Sequence, residues 1–318
     1  MNKEIAMSMA LRETSGTDTS VASMRMRIEA RLAALLPRST GAHDAVVNAM
    51  HAAVLGPGKR LRPLLTVRVG ESLGCRSPGL LDLACAVELV HCASLVLDDM
   101  PAMDNAMQRR GEPTVHLRFG QDVAMLAAVA LVTESMRVVA AAPGLPPAAL
   151  AQAVQVLSVA IGPAGLVRGQ WRDLHEDGAA RTVAAAAEAN AQKTGVLFAA
   201  AMELGAIAAG STAVAADLRR AAFALGQAFQ LRDDLEDMKP DGEDAGRYTL
   251  TQLLGAAAAR SLLHAELHKC RQALAAAFGG PCGPIDSLLE RAFADVALSP
   301  QPLHEVARVT PTASAEAS

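Results

Sequence analysis

Two acidic clusters, each closing an apolar helical stripe, constrain this chain more than any other feature. In the apolar stretch from Leu80 to Leu97, the positions Val87, His91, Ser94 and Asp98 follow the i, i+4, i+7, i+11 spacing of one helix face. A second stretch, Val214 to Asp237, repeats that spacing with Gly226, Gln230, Asp233 and Asp237. Asp233 and Asp237 stand one turn apart, about 40° around the axis, so their carboxylates converge. Asp98 and Asp104 lie six positions apart, and an unbroken helix would point them away from each other. Pro101 is expected to end that helix, leaving a bulge that returns Asp104 to the same site.

Both clusters fall at helix C-termini, where the macrodipole makes acidic residues unfavourable. Carboxylates crowded in this way repel unless protons or cations neutralise them. Oxygen-only ligands suit a hard cation such as Mg2+, which is commonly shared with substrate phosphates. Arg109-Arg110 and Lys193-Thr194 add side chains suited to phosphate. The pattern therefore predicts facing clusters that hold several metal ions around one diphosphate. Two solvated helix ends would leave the apolar stripes and these cations unexplained.

The rest of the chain reads as helix. It is rich in alanine and leucine and only 3% aromatic, and few β-branched residues interrupt it. Apolar periodicity predicts helices over Val21–Leu36, Leu80–Leu97, Asp122–Ala141, Pro147–Ile161, Thr182–Ala209 (interrupted near Gly195), Val214–Asp237 and Leu250–Phe278. No strand–helix alternation, repeat or internal linker appears. The expectation is one all-α domain over residues 21–298, between disordered segments at 1–20 and 299–318.

Between the first helices, Gly56-Pro-Gly-Lys59-Arg60-Leu-Arg62-Pro63 forms a glycine-proline loop carrying three cations. It fails as a nucleotide P-loop, because Ala53 stands at the first glycine position and Arg60 follows the lysine. From spacing alone it is either an anion site or a solvated basic turn. A net charge of −4 gives no reason to expect nucleic acid. The uncharged run Val138–Val167 is broken by four prolines and is read as a loop plus a buried helix, so no membrane span is expected. Five scattered cysteines, with no apolar leader at Met1–Ser20, predict reduced thiols in the cytoplasm.

Taken in order, these motifs resemble the trans-isoprenyl diphosphate synthases, and among them the bacterial geranylgeranyl diphosphate synthases. The resemblance runs from about residue 25 to 295. It rests on Gly58-Lys59-Arg60-Leu61-Arg62-Pro63, Glu88-Leu-Val-His91, Asp98-Asp99-Met-Pro-Ala-Met-Asp104 and Arg109-Arg110-Gly-Glu-Pro-Thr-Val-His116. It continues through Gly169-Gln170-Trp-Arg-Asp173, Lys193-Thr194 and Phe229-Gln230-Leu-Arg-Asp233-Asp234-Leu-Glu-Asp237.

The resemblance implies a helical bundle of the isoprenoid synthase type with a central cavity, working as a homodimer. It implies that Asp98 and Asp104 bind two Mg2+ ions and Asp233 a third, with Asp99 and Asp237 supporting and Asp234 completing the catalytic set. Arg109 and Lys193 would hold the allylic diphosphate, helped by Thr194 and Gln230. Lys59, Arg62, His91 and Arg110 would hold isopentenyl diphosphate. The reaction implied is ionisation of the allylic diphosphate, attack by isopentenyl diphosphate and loss of a proton, giving geranylgeranyl diphosphate, a precursor of carotenoids and other diterpenoids.

Product length in this family is linked to the residues five and four before the first motif, here Ala93 and Ser94, about 6–7.5 Å along the helix axis from Asp98. Both are small, so a C20 product is expected over C15; farnesyl and longer-chain synthases are the enzymatic alternatives. Two departures stand out. The loop Met238–Glu243 is short, with only Lys239 to replace the usual lysine, and Arg247 stands where relatives carry lysine. Both predict a lid that closes differently. Few aromatics argue against a terpene cyclase. Two intact aspartate motifs argue against a non-catalytic modulatory subunit, for which the altered lid is the one supporting feature.

Overall fold

The computed structural model describes residues 20–41, 44–176, 182–237, 249–294 and 296. The expected terminal segments at 1–20 (except Ser20) and 299–318 lie outside them, as do Lys239 and Arg247.

The described chain is helical. Helix α1 covers residues 20–35. It is followed by α2 (Ala45–Leu55), α3 (Leu61–Ser72) and α4 (Gly79–Asp98), then by α5 (Val115–Phe119), α6 (Gln121–Ala140), α7 (Pro147–Ile161) and α8 (Leu166–His175). Next come α9 (Val183–Asn190), a π turn at Ala191–Gly195, α10 (Val196–Ala208) and α11 (Ala215–Asp237). The order closes with α12 (Leu250–Leu254), α13 (Ala256–Phe278) and α14 (Gly283–Ala292). The exception to helix among the described residues is a small antiparallel hairpin, β1 (Gln108–Arg109) with β2 (Glu112–Pro113).

The long apolar helix ends where its sequence changes character. α4 is buried along most of its length and packs on α3, α6 and α10. At Asp99 the chain leaves the helix, and the amide of Asp104 turns back to donate to the Asp98 carbonyl at 2.9 Å. This is the return that Pro101 predicts. α11 packs on α10, α13 and the π turn, and places its acidic end beside the same region. Leu65, Leu83, Leu89, Leu131, Phe198 and Met202 fill the core between these layers, each essentially inaccessible to solvent.

Several elements differ from the sequence expectations. Helices α2, α3, α8 and α14 are not among those expected: α2 and α3 carry no clean apolar period and tertiary packing decides them, whereas α8 and α14 are amphipathic but only ten residues long each. In α3 the Pro63 ring sits in the first turn, where its missing N–H leaves no bond unmade. The Leu250–Phe278 helix is two helices, broken at Gly255, whose φ of 78° suits glycine. The helix expected to be buried within Val138–Val167 is only partly so: α7 buries Ala153, Leu157 and Ala160 and leaves Val159 exposed. By length and composition alone, α4, α6 and the stretch Pro147–His175 could each cross a membrane. Of these, α4 lies largely inside the protein.

Candidate active site

The two acidic clusters and the cationic segments meet in one ring of charge. Asp98, at the last position of α4, lies close enough to Lys193, Asp104, Arg109 and Asp99 to feel each of them. Burial is the largest influence and pushes its carboxyl up to about 6; Lys193 opposes this and Asp104 adds to it. On the other side of Lys193, the ammonium donates to Asp173 Oδ2 at 2.6 Å. Asp173 in turn neighbours Asp234, which burial pushes up to about 6, opposed by the Gln230 hydrogen bond and reinforced by Asp233, Asp173 and Asp237. Lys193 thus sits between the ends of α4 and α11.

The π turn makes this placement possible. It widens the backbone at Lys193-Thr194 inside an otherwise regular helical run, at the interruption expected near Gly195. Gly169 of α8 lets that backbone approach: a Cβ there would fall 2.3 Å from the Lys193 amide nitrogen. Thr194 then donates to Gln230 Oε1 at 3.2 Å, while Gln230 Nε2 donates to Asp234 Oδ1 at 2.9 Å. Asp233 accepts from Arg232 at 2.8 Å. Its carboxyl is raised by burial, against the pull of Arg232 and Lys59. Lys59 therefore brings the glycine-proline loop next to the second cluster.

That loop completes the ring. Arg62 lies with its guanidinium carbon 4.4 Å from the Phe198 ring centre and Nη1 3.4 Å from His91 Nε2. Burial lowers the Arg62 pKa to about 10, and its Nε has no hydrogen-bond partner. His91 is held well below its ordinary range, first by burial and then by Arg62, Arg110 and Arg109. It is therefore a neutral imidazole beside several fixed cations.

The sequence-predicted residues do not all face the same way. Asp99 is buried and accepts from Arg109 at 3.0 and 2.5 Å. Its carboxylate holds the arginine. Ala93 is 1% exposed and packed in the core, while Ser94 is half-buried and donates to the His91 carbonyl at 2.9 Å. A cavity of about 550 Å3 lies on a neighbouring flank of α4. Cys92, Leu95, Val96, Asp99, Arg109 and Arg110 line it, and Asp98, Ser94 and Ala93 do not.

Among the described residues, no three His, Cys, Asp or Glu side chains form a ready cage for a metal ion. The donor chemistry nevertheless fits Mg2+. Asp98, Asp233 and Asp234 are carboxylates whose charged forms are disfavoured by burial and crowding, and a hard cation relieves both. Such a cation would complete its coordination with ligand oxygens.

Sequence reasoning gave no role to Asp173 or Gln170. Gln170 is buried, and neither atom of its amide has a protein partner. The available signal was their position on α8, the most amphipathic segment near Lys193, and their place in Gly169–Asp173.

The sequence profile described as "Polyprenyl synthetase" matches residues 43–273. The geranylgeranyl diphosphate synthase of Pantoea ananas is 48% identical over 258 residues, spanning 79% of this chain and 85% of that protein. The geranylgeranyl diphosphate synthase of Pseudescherichia vulneris is 49% identical over 248 residues, 76% of this chain and 80% of that protein. Among solved structures, an FPP/GFPP synthase from Zymomonas mobilis superimposes with a TM-score of 0.79 at 32% identity. It covers 89% of this chain and 100% of that one.

Proposed function

Because the chain belongs to the polyprenyl synthetase family, we propose that it is a prenyltransferase that condenses isopentenyl diphosphate with an allylic diphosphate to give geranylgeranyl diphosphate and pyrophosphate. The observation that carries this is Lys193, which stands between Asp98 and the Asp173–Asp234 group and so joins the two carboxylate clusters. The identity to geranylgeranyl diphosphate synthases supports the C20 product, as do the small side chains of Ala93 and Ser94.

In this reading Asp98, Asp104, Asp233 and Asp237 hold Mg2+, three ions in all, with Asp234 in the same group. Asp99 acts through Arg109. The metal, when bound, supplies positive charge that stabilises the departing pyrophosphate. Lys193, Arg109, Thr194 and Gln230 orient the allylic diphosphate. Lys59, Arg62, Arg110 and neutral His91 bind the second diphosphate; the unpartnered Nε of Arg62 is one donor available for it. Apolar surface beside the site would exclude water that would quench the allylic cation. Attack by the isopentenyl double bond forms the new carbon–carbon bond, and the proton lost goes to the leaving pyrophosphate.

The outward side chains Met125, Leu126 and Val129 of α6 and Val159 of α7 are exposed. Such exposed apolar side chains support a homodimer, in which a second copy would cover them. Five buried, unpaired cysteines support a reducing compartment and hence the cytoplasm.

Purified protein incubated with Mg2+, labelled isopentenyl diphosphate and dimethylallyl, geranyl or farnesyl diphosphate is expected to yield C20 product, lost with chelator and restored by Mg2+. No elongation from any primer would refute the proposal.

A further inference from the structure

The isopentenyl half of the proposed site depends on an ion pair that does not itself belong to the binding set. Arg60 is 3% exposed and adopts a left-handed backbone conformation, φ 52°, which is uncommon for a residue with a Cβ. Its guanidinium donates to Glu88 Oε1 at 2.9 Å and to the carbonyls of Val54 and Gly56 at 2.8 and 2.7 Å. Glu29 of α1 lies 3.7 Å from its Nε. One side chain therefore joins α1, the C-terminal end of α2, α4 and the loop that carries Lys59 and Arg62.

The same loop is gripped from its other side. Arg110, also left-handed at φ 55°, donates to the Pro57 carbonyl at 2.6 Å. Gly58 lies between the two arginines: a Cβ there would stand 2.6 Å from Arg110 Nη1 and 3.1 Å from Arg60 Nη1. Glu88 is buried one helical turn before His91 and Cys92, and its charge also acts on Arg62. It pairs directly with Arg60 and is the anion that acts most strongly on Arg62.

From this geometry we infer that Arg60 and Glu88 are a positioning pair for the isopentenyl diphosphate subsite. They fix Lys59, Arg62 and the Pro57 carbonyl that holds Arg110, and neither hydrogen-bonds to an aspartate of the two clusters. This rests on the function proposed above. A buried ion pair contributes little net stability compared with apolar residues of similar size. Its retention is explained by the orientation it imposes on the flanking cations.

The test compares the wild-type chain with Glu88→Gln and with the double variant Arg60→Met/Glu88→Leu, which removes both charges together. Steady-state kinetics would be measured with each substrate varied, alongside thermal unfolding. The double variant leaves the Val54 and Gly56 carbonyls without the donor that Arg60 supplies, so it is expected to unfold somewhat earlier than wild type, and Glu88→Gln, which keeps Arg60, carries the test. Both proteins should show a rise of at least about tenfold in KM for isopentenyl diphosphate, with the allylic KM within about twofold. Equal changes in the two KM values, or no change in either, in Glu88→Gln would overturn the inference whatever the double variant does. Absence of elongation by the wild-type chain would instead count against the proposed function.

Discussion

The end of α4 and the end of α11 bring the same chemical groups to one site by different backbone routes. At α11 the helix persists through the motif, so Asp233 and Asp237 converge by spacing, and the nearest partners come from the same helix: Arg232 for Asp233 and Gln230 for Asp234. At α4 the helix stops, a turn returns Asp104 to Asp98, and the partner of Asp99 arrives from the hairpin ten residues later. The regular cluster is held locally. The irregular one is held through tertiary structure, which makes it both more sensitive to change and harder to read from sequence.

Removing one carboxylate from each side tests that asymmetry most directly. With two ions assigned to Asp98 and Asp104 and one to Asp233, Asp98→Ala is expected to lower kcat/KM by about 10^4-fold and Asp233→Ala by about 10^2- to 10^3-fold. Both variants should unfold no earlier than wild type, since each removes a carboxylate that burial disfavours. Steady-state kinetics and thermal melts check this. Equal losses of activity would mean that the two clusters share the metals evenly.

Asp99→Asn probes the tertiary link itself. The buried amide cannot hold the Arg109 guanidinium as a carboxylate does, so kcat/KM is expected to fall by roughly 10- to 100-fold, mostly through the allylic KM. A direct metal role would instead appear as a raised Mg2+ requirement with little change in allylic KM. The comparison of those two curves distinguishes holding Arg109 from holding an ion.

This contrast also explains what the sequence could reveal. Asp233, Asp237 and Gln230 were legible because a helix converts spacing into direction. Pro101 allowed the return of Asp104 to be argued, but not the burial of Asp99 or its choice of Arg109, which depends on a hairpin with left-handed Asn105 and Arg110. Lys193 was readable as a cation near a helix interruption. Its partner Asp173 was not, since their contact spans twenty residues and needs the close approach at Gly169. Helices α2 and α3 escaped detection for the same reason, since their stability comes from the neighbours they pack against; α8 and α14 are amphipathic, but over only ten residues each.

The upper part of α4 offers a smaller perturbation on the irregular side. Ala93→Tyr is expected to shift product from C20 towards C15, read by chromatography of the elongated diphosphates. Because Ala93 is packed in the core, the ring must displace neighbours, and a stability loss of about 1–3 kcal/mol should accompany the shift. Ser94→Tyr starts from a half-buried position and should shorten the product with less destabilisation. If Ala93→Tyr leaves the product at C20 while unfolding earlier, the small residue serves packing and not product length.

The smallest effect concerns protons rather than atoms. His91 lies among the cations of the site, where burial and then Arg62, Arg110 and Arg109 depress its pKa well below the usual imidazole value. A depressed folded-state pKa keeps the ring neutral at and above pH 6.5, and protonation can weaken folding only at lower pH, where the unfolded chain binds the proton more readily. His91 should therefore add no ionisation to binding near neutrality. The profiles of isopentenyl diphosphate KM against pH for wild type and His91→Gln are expected to run parallel from about pH 6.5 to 8, offset by a constant factor. An acid limb present in wild type and absent in the variant would show that His91 charges in this range and that the cations around it are screened.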